Sequence, residues 1–282
     1  MTTATINAQA LRVHRRSKSV NAIPTLTMRR LALTIRSPRS LAVPLLAPLL
    51  FALVVAPALS NTVAAPGQRT ASLTFFALAT AGLLIPLNCM FSGLGVVVDR
   101  AQGAMRELLV APIRRVDIVL GNLLAAMVIT TLQLSVLIGA AAVRGAAFET
   151  GRHVLWFLAA AGLFCVVIYG LAEILATRLT SPEEYTAALP AVAIVPFFFA
   201  GSLYPITALP HWLEDVARVL PLTHTLALFR YGLTSNGATA LHSIWGMRSD
   251  TTMAALSLGV VALYASVIII VAIRVFTKAG KN

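Results

Sequence analysis

The side chains able to carry charge or do chemistry concentrate in one stretch, DRAQGAMRELLVAPIRR, residues 99–115. Seven of its seventeen residues ionise or hydrogen-bond strongly: Asp99, Arg100, Gln102, Arg106, Glu107, Arg114 and Arg115. Elsewhere the chain has no GxxxxGKS/T phosphate loop, no HExxH zinc helix, no paired-Cys motif and no GxSxG elbow. Its five histidines are scattered: His14, His153, His211, His224 and His242. His211 and His224 stand 13 residues apart with no third ligand nearby, so no metal site is expected. Glu173 is the only acid well inside an apolar run. An acid in a span is a functional hypothesis by default, but Arg178, five residues on, makes an interfacial ion pair the favoured reading over a transport role. Asn88 and Gln133, each inside an apolar run, either hydrogen-bond between helices or line a translocation path; the former is favoured. No constellation for catalysis emerges, so the chain is not expected to be an enzyme.

Composition says where these groups must sit. Of 282 residues 58% are hydrophobic and only 11% charged, against about a quarter in a soluble domain. So little polar surface cannot cover a water-soluble core, which makes this an all-α integral membrane protein. The net charge of +12 is then a question of membrane orientation rather than of nucleic acid, which is not an expected partner. Cys89 and Cys165 each lie in an apolar run and read as small apolar residues.

Residues 1–40 hold eight Lys/Arg and no acid, and the first apolar run begins only at Leu41, so no secretory signal is read. From about 25 to 37, Met28, Leu31, Ala32 and Ile35 share one helical face, with Arg29, Arg30 and Arg36 on the rest. This is either an amphipathic helix lying in the headgroups or a positively charged anchor flank. A span needs about 20 apolar residues. Six runs qualify: 41–59, with Pro44, Pro48 and Pro57 as kink sites; 71–98; 118–143; 154–176; 187–204, broken by Pro190 and Pro196; and 251–273. With the N-terminus inside, the inner segments carry 16 Lys/Arg and the outer ones 6, so both termini (1–40 and 275–282) and residues 99–115 face the cytoplasm.

Residues 205–250 are too apolar for an ordinary loop. An amphipathic helix should start after Pro210 and end near Pro221, with Trp212, Leu213, Val216, Val219 and Leu220 opposing Glu214, Asp215 and Arg218. A second should run from Thr223 to Leu233. Neither is long enough to cross; they either dip into the outer leaflet as re-entrant helices or lie on the surface and cap the bundle.

The chain shows no nucleotide site and no row of intramembrane acids, so an energy source must be external. Here the residues resemble the permease (transmembrane) subunits of ABC type-2 exporters. DRAQGAMRELLVAPIRRVDIVLGNLL is similar to that family's cytoplasmic loop, with Asp99, Arg100, Gly103, Leu108, Leu109, Pro112 and Arg115 matching. RLTSPEEY followed by FFFAGSLYPITALPHWLEDVARVLPLTHTLALFR resembles its Ser-Pro-Glu loop, small-Gly…Pro segment, Leu-Pro-x-Trp-Leu and Pro-Leu-Thr. The two matches cover roughly residues 90–235 in order. Gln102 replaces the family's usual acid, and Arg106–Glu107 reverses its usual acid–basic order.

The resemblance implies a fold of six transmembrane helices at 41–274, an N-terminal interfacial helix and short re-entrant helices between spans five and six. It implies ATPase coupling through Asp99, Arg100, Gly103, Arg106, Glu107, Leu108, Leu109, Pro112 and Arg115. Gly103 would permit a turn, Leu108 and Leu109 would anchor in a groove, and Pro112 would end the coupling helix. An extracellular gate is implied at Gly201, Pro205, Leu209, Pro210, Trp212, Leu213, Pro221 and Leu222. Partners would be a cytoplasmic ABC ATPase, a second permease chain (identical or paired) and membrane lipid. No cofactor would be bound directly; ATP and magnesium belong to the ATPase. The expected task is export of a drug, antibiotic, polyketide or lipid across the plasma membrane, in the daunorubicin-resistance-like branch. A secondary transporter, a membrane anchor or assembly protein, and a membrane-embedded enzyme are the alternatives.

Overall fold

The structure, a computed structural model, describes residues 22–36, 42, 45–46, 48–63, 68–111 and 113–279. Their regular structure is all helical, with no strand among them. Helix α1 (Ala22–Arg36) precedes a short apolar helix over Pro48–Thr62. The latter passes through a π-helical turn at Phe51–Val55 before α2 (Ala56–Val63), and the amide of Ala56 donates to the carbonyl of Phe51. Pro57 follows at once; it has no N–H to give, and a locally wider turn is how an apolar helix absorbs that loss. Part of the predicted 41–59 span lies outside the described residues.

Four helices are long and apolar enough to cross a membrane: α3 (Arg69–Ala101), α5 (Arg115–Val143), α6 (Val154–Arg178) and α12 (Asp250–Ala279). Between α3 and α5 stands a short helix, α4 (Ala104–Val110). The predicted fifth span is two pieces, α7 (Pro182–Ala193) and α8 (Val195–Phe199). They part at Ile194, two residues before Pro196, because a proline and the residue ahead of it both resist the α-helix. The Ser-Pro-Glu sequence is the start of α7: Ser181 Oγ accepts from the amide of Glu184 at 3.1 Å, and Pro182 takes the first helical position.

Helix α6 is the hub, packed by α3, α5, α10 (Pro221–Leu233) and α12. Glycines set the close approaches. A Cβ on Gly170 of α6 would stand 2.7 Å from Ile268 Cγ2 of α12, and one on Gly121 of α5 would stand 2.7 Å from Leu26 Cβ of α1. Cys89 and Cys165 are buried and reduced, as small apolar residues would be, but they meet each other, Sγ to Sγ 3.4 Å, between α3 and α6.

Helix α9 (His211–Val219) follows the predicted first element of the 205–250 segment and α10 the second. Their settings differ. Every residue of α10 from Leu222 to Leu233 is buried, so it is an inserted core helix and not a surface cap. Helix α9 buries only Ala217 and turns Trp212, Val216 and Val219 away from the bundle. A further helix, α11 (Ala238–Trp245), was not foreseen in the sequence. Both ring nitrogens of His224 are engaged, Nδ1 with Ser257 Oγ at 3.2 Å and Nε2 with the Arg218 carbonyl at 2.9 Å. His211 stands at the exposed start of α9, and no group of three metal-ligating side chains is found among the described residues.

Candidate functional site

The 99–115 stretch is built from three pieces rather than one helix. Helix α3 runs on through Asp99 and Arg100 to Ala101, a turn follows at Gln102–Gly103, and α4 then occupies 104–110 before α5 begins at Arg115. Gly103 has φ +82° and open space where a Cβ would go, so it is the backbone angle, not crowding, that calls for glycine. Leu108 of α4 is half-buried against the core and Val110 is exposed. Helix α4 also carries Arg106, Glu107 and Leu109; Pro112 lies outside the described residues.

The charges flanking α4 are tied to other helices. Asp99 Oδ2 accepts from Arg30 Nη1 at 2.9 Å, with Arg29 3.9 Å away. Arg30 is 7% exposed, and its Nη2 also donates to the Ser92 carbonyl at 2.8 Å. A Cβ on Gly95 would fall on this guanidinium, so that glycine is the slot through which Arg30 reaches Asp99. The sequence reading placed Arg30 on the polar outer face of α1. Instead it packs inward, while Met28 and Ile35, from the predicted apolar face, point away from the bundle. The helix has two demands, an ion pair inward and an apolar stripe outward, and packing on α5 with Arg30 reaching across to α3 meets both.

Arg100 donates to the carbonyls of Thr177 and Leu179, closing the end of α6, where orphan carbonyls need a donor. Arg115 Nη1 donates to the Thr277 carbonyl near the end of α12 at 3.0 Å. Asp99, Arg100 and Arg115 thus fasten α1, α6 and α12 to the two ends of the turn that carries α4.

Glu173 lies in the same quarter. The structure overturns its expected ion pair with Arg178: Glu173 is fully buried and accepts from Tyr169 Oη at 2.7 Å, four residues back on the same helix face. The carboxylate is thus engaged inside the bundle by a neighbour on its own helix. Tyr185, from α7, donates to the Met90 carbonyl at 2.9 Å across α3. Asn88 Nδ2 donates to the Ala126 carbonyl and to Thr130 Oγ1, joining α3 to α5. Gln133 is 3% exposed within α5. Neither amide lines the cavity found at the start of α3.

That cavity is at the other end of the bundle. From Thr70 to Arg100 along α3 is about 45 Å at the α-helical rise, and the cavity is lined where α3 starts, by Thr70, Thr74 and Phe75. Of the predicted gate residues, Gly201 and Pro205 line it, while Leu209, Pro210, Trp212, Leu213, Pro221 and Leu222 do not. Gly201 (φ +73°) turns the chain after α8, and Pro205 opens a single 3₁₀ turn at Ile206–Ala208. Leu209 and Pro210 lead into α9, which carries Trp212 and Leu213, while Pro221 and the buried Leu222 start α10. The sequence reading missed Arg230, a buried arginine on α10 whose Nη2 donates to the carbonyls of Gly201 and Ser202 at 2.9 and 3.2 Å. A lone basic residue in the apolar run LALFRYGL was the available signal.

A family model described as ABC-2 type transporter matches residues 21–234, which takes in α1, the α3–α4–α5 turn and the whole α7–α10 segment. No curated protein matches the chain.

Proposed function

The chain belongs to the ABC-2 type transporter family, and from that premise we propose that it is the permease subunit of an exporter driven by a separate cytoplasmic ATPase. It is an integral membrane protein of helical spans. The observation that carries the proposal is α4: a helix of 7 residues slung between two long apolar helices, with its flanking charges fastened to α1, α6 and α12. In this reading α4 is the coupling helix. It seats in a groove of the nucleotide-binding subunit, which holds ATP and magnesium, and closure of two such subunits tilts the spans around two permease chains. The chain itself is not an enzyme.

The reading places six spans in the plasma membrane, with α2 and its approach as the first, α7–α8 as the fifth, and both termini cytoplasmic. Helix α1 lies at the inner headgroups with Met28 and Ile35 toward lipid; α9 and α10 form the outer, re-entrant element. The cargo is hydrophobic or amphipathic, in the range of drugs, antibiotics, polyketides and lipids.

Two experiments test it. The tagged chain is purified from native membranes with and without the exchange Arg106→Glu, Glu107→Arg. Arg115 is left alone because it is committed to Thr277. Exchange of the pair is expected to cut recovery of the co-purifying nucleotide-binding subunit by about tenfold, the scale of one lost charge-assisted contact, without changing membrane insertion. Equal recovery overturns the coupling assignment. Second, Trp212→Cys, on the 68% exposed position of α9, is expected to react with an impermeant maleimide only from outside the cell. The native Cys89 and Cys165 are buried and give little background. Labelling confined to inverted vesicles overturns the orientation.

A further inference from the structure

The start of α3, the turn after α8, and helices α10 and α11 enclose a cavity of about 710 Å³, within the range of sites that hold drug-sized ligands. Arg230 lines it and is 9% exposed. One face of its guanidinium is covered by Phe75, whose ring centre lies 3.8 Å from Cζ. Among the described residues no acid is within ion-pair distance of Arg230. Its Nε is buried and has no hydrogen-bond partner among the described residues. The hydroxyl of Thr223, about two helical turns earlier on α10, lines the same cavity, is 3% exposed, and is likewise without a partner among the described residues. Glu149, the other charged residue lining the cavity, is exposed.

A buried cation without an acid is costly, and a membrane protein keeps one where something compensates it. Two backbone carbonyls satisfy Nη2 but do not neutralise the charge. Water could complete the hydrogen bonds of Nε and Thr223 but would also leave the charge standing. An anionic oxygen does both, and binds guanidinium more strongly than a neutral acceptor. The remaining wall is mixed: Thr74 and Ser243 bring hydroxyls, Ile206, Ala227 and Ile244 bring apolar surface. That mixture suits a molecule with an anionic end and an apolar body.

Resting on the permease reading, we infer that this cavity receives the anionic group, a phosphate or carboxylate, of an amphipathic substrate, with Arg230 as its anchoring cation and Thr223 as a second donor. The site deepens the exporter assignment by naming an acidic amphiphile as the substrate class. Arg230 grips the charged end while the carbonyls of Gly201 and Ser202 hold the guanidinium in place. Because those carbonyls belong to the turn that leads to α9, occupancy of the cavity bears on the position of that turn.

The test is a calorimetric titration of the purified full chain in neutral dodecyl-maltoside micelles, with decyl phosphate and, separately, with inorganic phosphate. Decyl phosphate is expected to bind, and Arg230→Gln to weaken it at least about tenfold, the scale of one charge-assisted contact. Arg230 also pins a turn, so the deciding variant is Thr207→Glu, an exposed lining position where an added acid repels the probe without touching the turn's hydrogen bonds. It should weaken binding severalfold, and Thr207→Lys should not. Decyl phosphate binding with inorganic phosphate silent identifies an amphiphile; equal binding of both keeps the anion site and assigns it to a free anion. No decyl phosphate binding, or equal affinity in wild type and Thr207→Glu, overturns the inference. The titration contains neither ATPase nor ATP, so its failure leaves the coupling assignment standing, and failure of the co-purification leaves the anion site standing.

Discussion

Asp99→Asn is expected to destabilise the chain by about 3 kcal/mol or more, because it strands a buried arginine. The magnitude turns on burial. An exposed pair such as Glu214–Arg218, with Arg218 44% exposed, falls in the class worth roughly 0–1 kcal/mol. The Arg30 and Asp99 side chains are only 8% and 16% exposed, so neither water nor salt takes over when one partner is removed. Equilibrium unfolding of the purified chain in mixed micelles checks this, with Arg218→Ala as the exposed comparison. Gly95→Val should do comparable damage by a separate route, filling the slot that the Arg30 guanidinium occupies. Since both changes evict the same group, the double variant should lose clearly less than the sum of the singles. Additive losses, or an Asp99→Asn effect no larger than that of Arg218→Ala, would mean that Arg30 is not held there. The pair also fastens α1 to α3 just ahead of α4, so the variant should lose coupling along with stability.

Gly237→Ala is expected to cost about 2–3 kcal/mol, at the upper end for overpacking by one methyl. Gly237 has φ −64°, an angle open to any residue, so the constraint is space alone. A Cβ there would fall on the Arg230 carbonyl and on Tyr231 Cα, both backbone, which no rotamer change relieves. The turn from α10 to α11 must open instead, and with it a wall of the cavity. Gly259→Ala on α12 is the comparison: a Cβ there meets nothing within 4 Å, and removing a helical glycine is neutral or stabilising by up to about 1 kcal/mol. Thermal unfolding in detergent should separate the two variants. Similar midpoints would show that the α10–α11 turn yields easily.

Much of the secondary structure was legible because it rests on local rules. Pro196 breaks the fifth apolar run, Pro210 and Pro221 bracket α9, and Gly103 turns the chain before α4. Each is a statement about one residue and its immediate neighbours. The pattern that marked residues 99–115 was equally local, a dense run of charge between apolar runs. Helix α11 escaped notice because ATALHSIW is short and follows the two helices read in the 205–250 segment.

The partners of those charges were not legible. Asp99 meets Arg30 across 69 residues, Arg100 reaches the end of α6 across 77 and 79, and Arg115 reaches α12 across 162. Glu173 had a sequence neighbour in Arg178 and turned instead to Tyr169, because its side chain faces the packed helices. The sequence alone therefore established a bundle of apolar helices, its breaks and caps, and one charged turn between two spans. Only the tertiary structure decided which helix faces look inward, which helices the charged turn grips, and that Arg230 stands in a cavity wall. The reason is physical. In water, hydrophobicity separates inside from outside along a helix; in a bilayer, lipid tails are as apolar as a protein core, so core-facing and lipid-facing residues look alike. What distinguishes them is packing of small residues and pairing of distant polar groups, and neither is a property of any short stretch of chain.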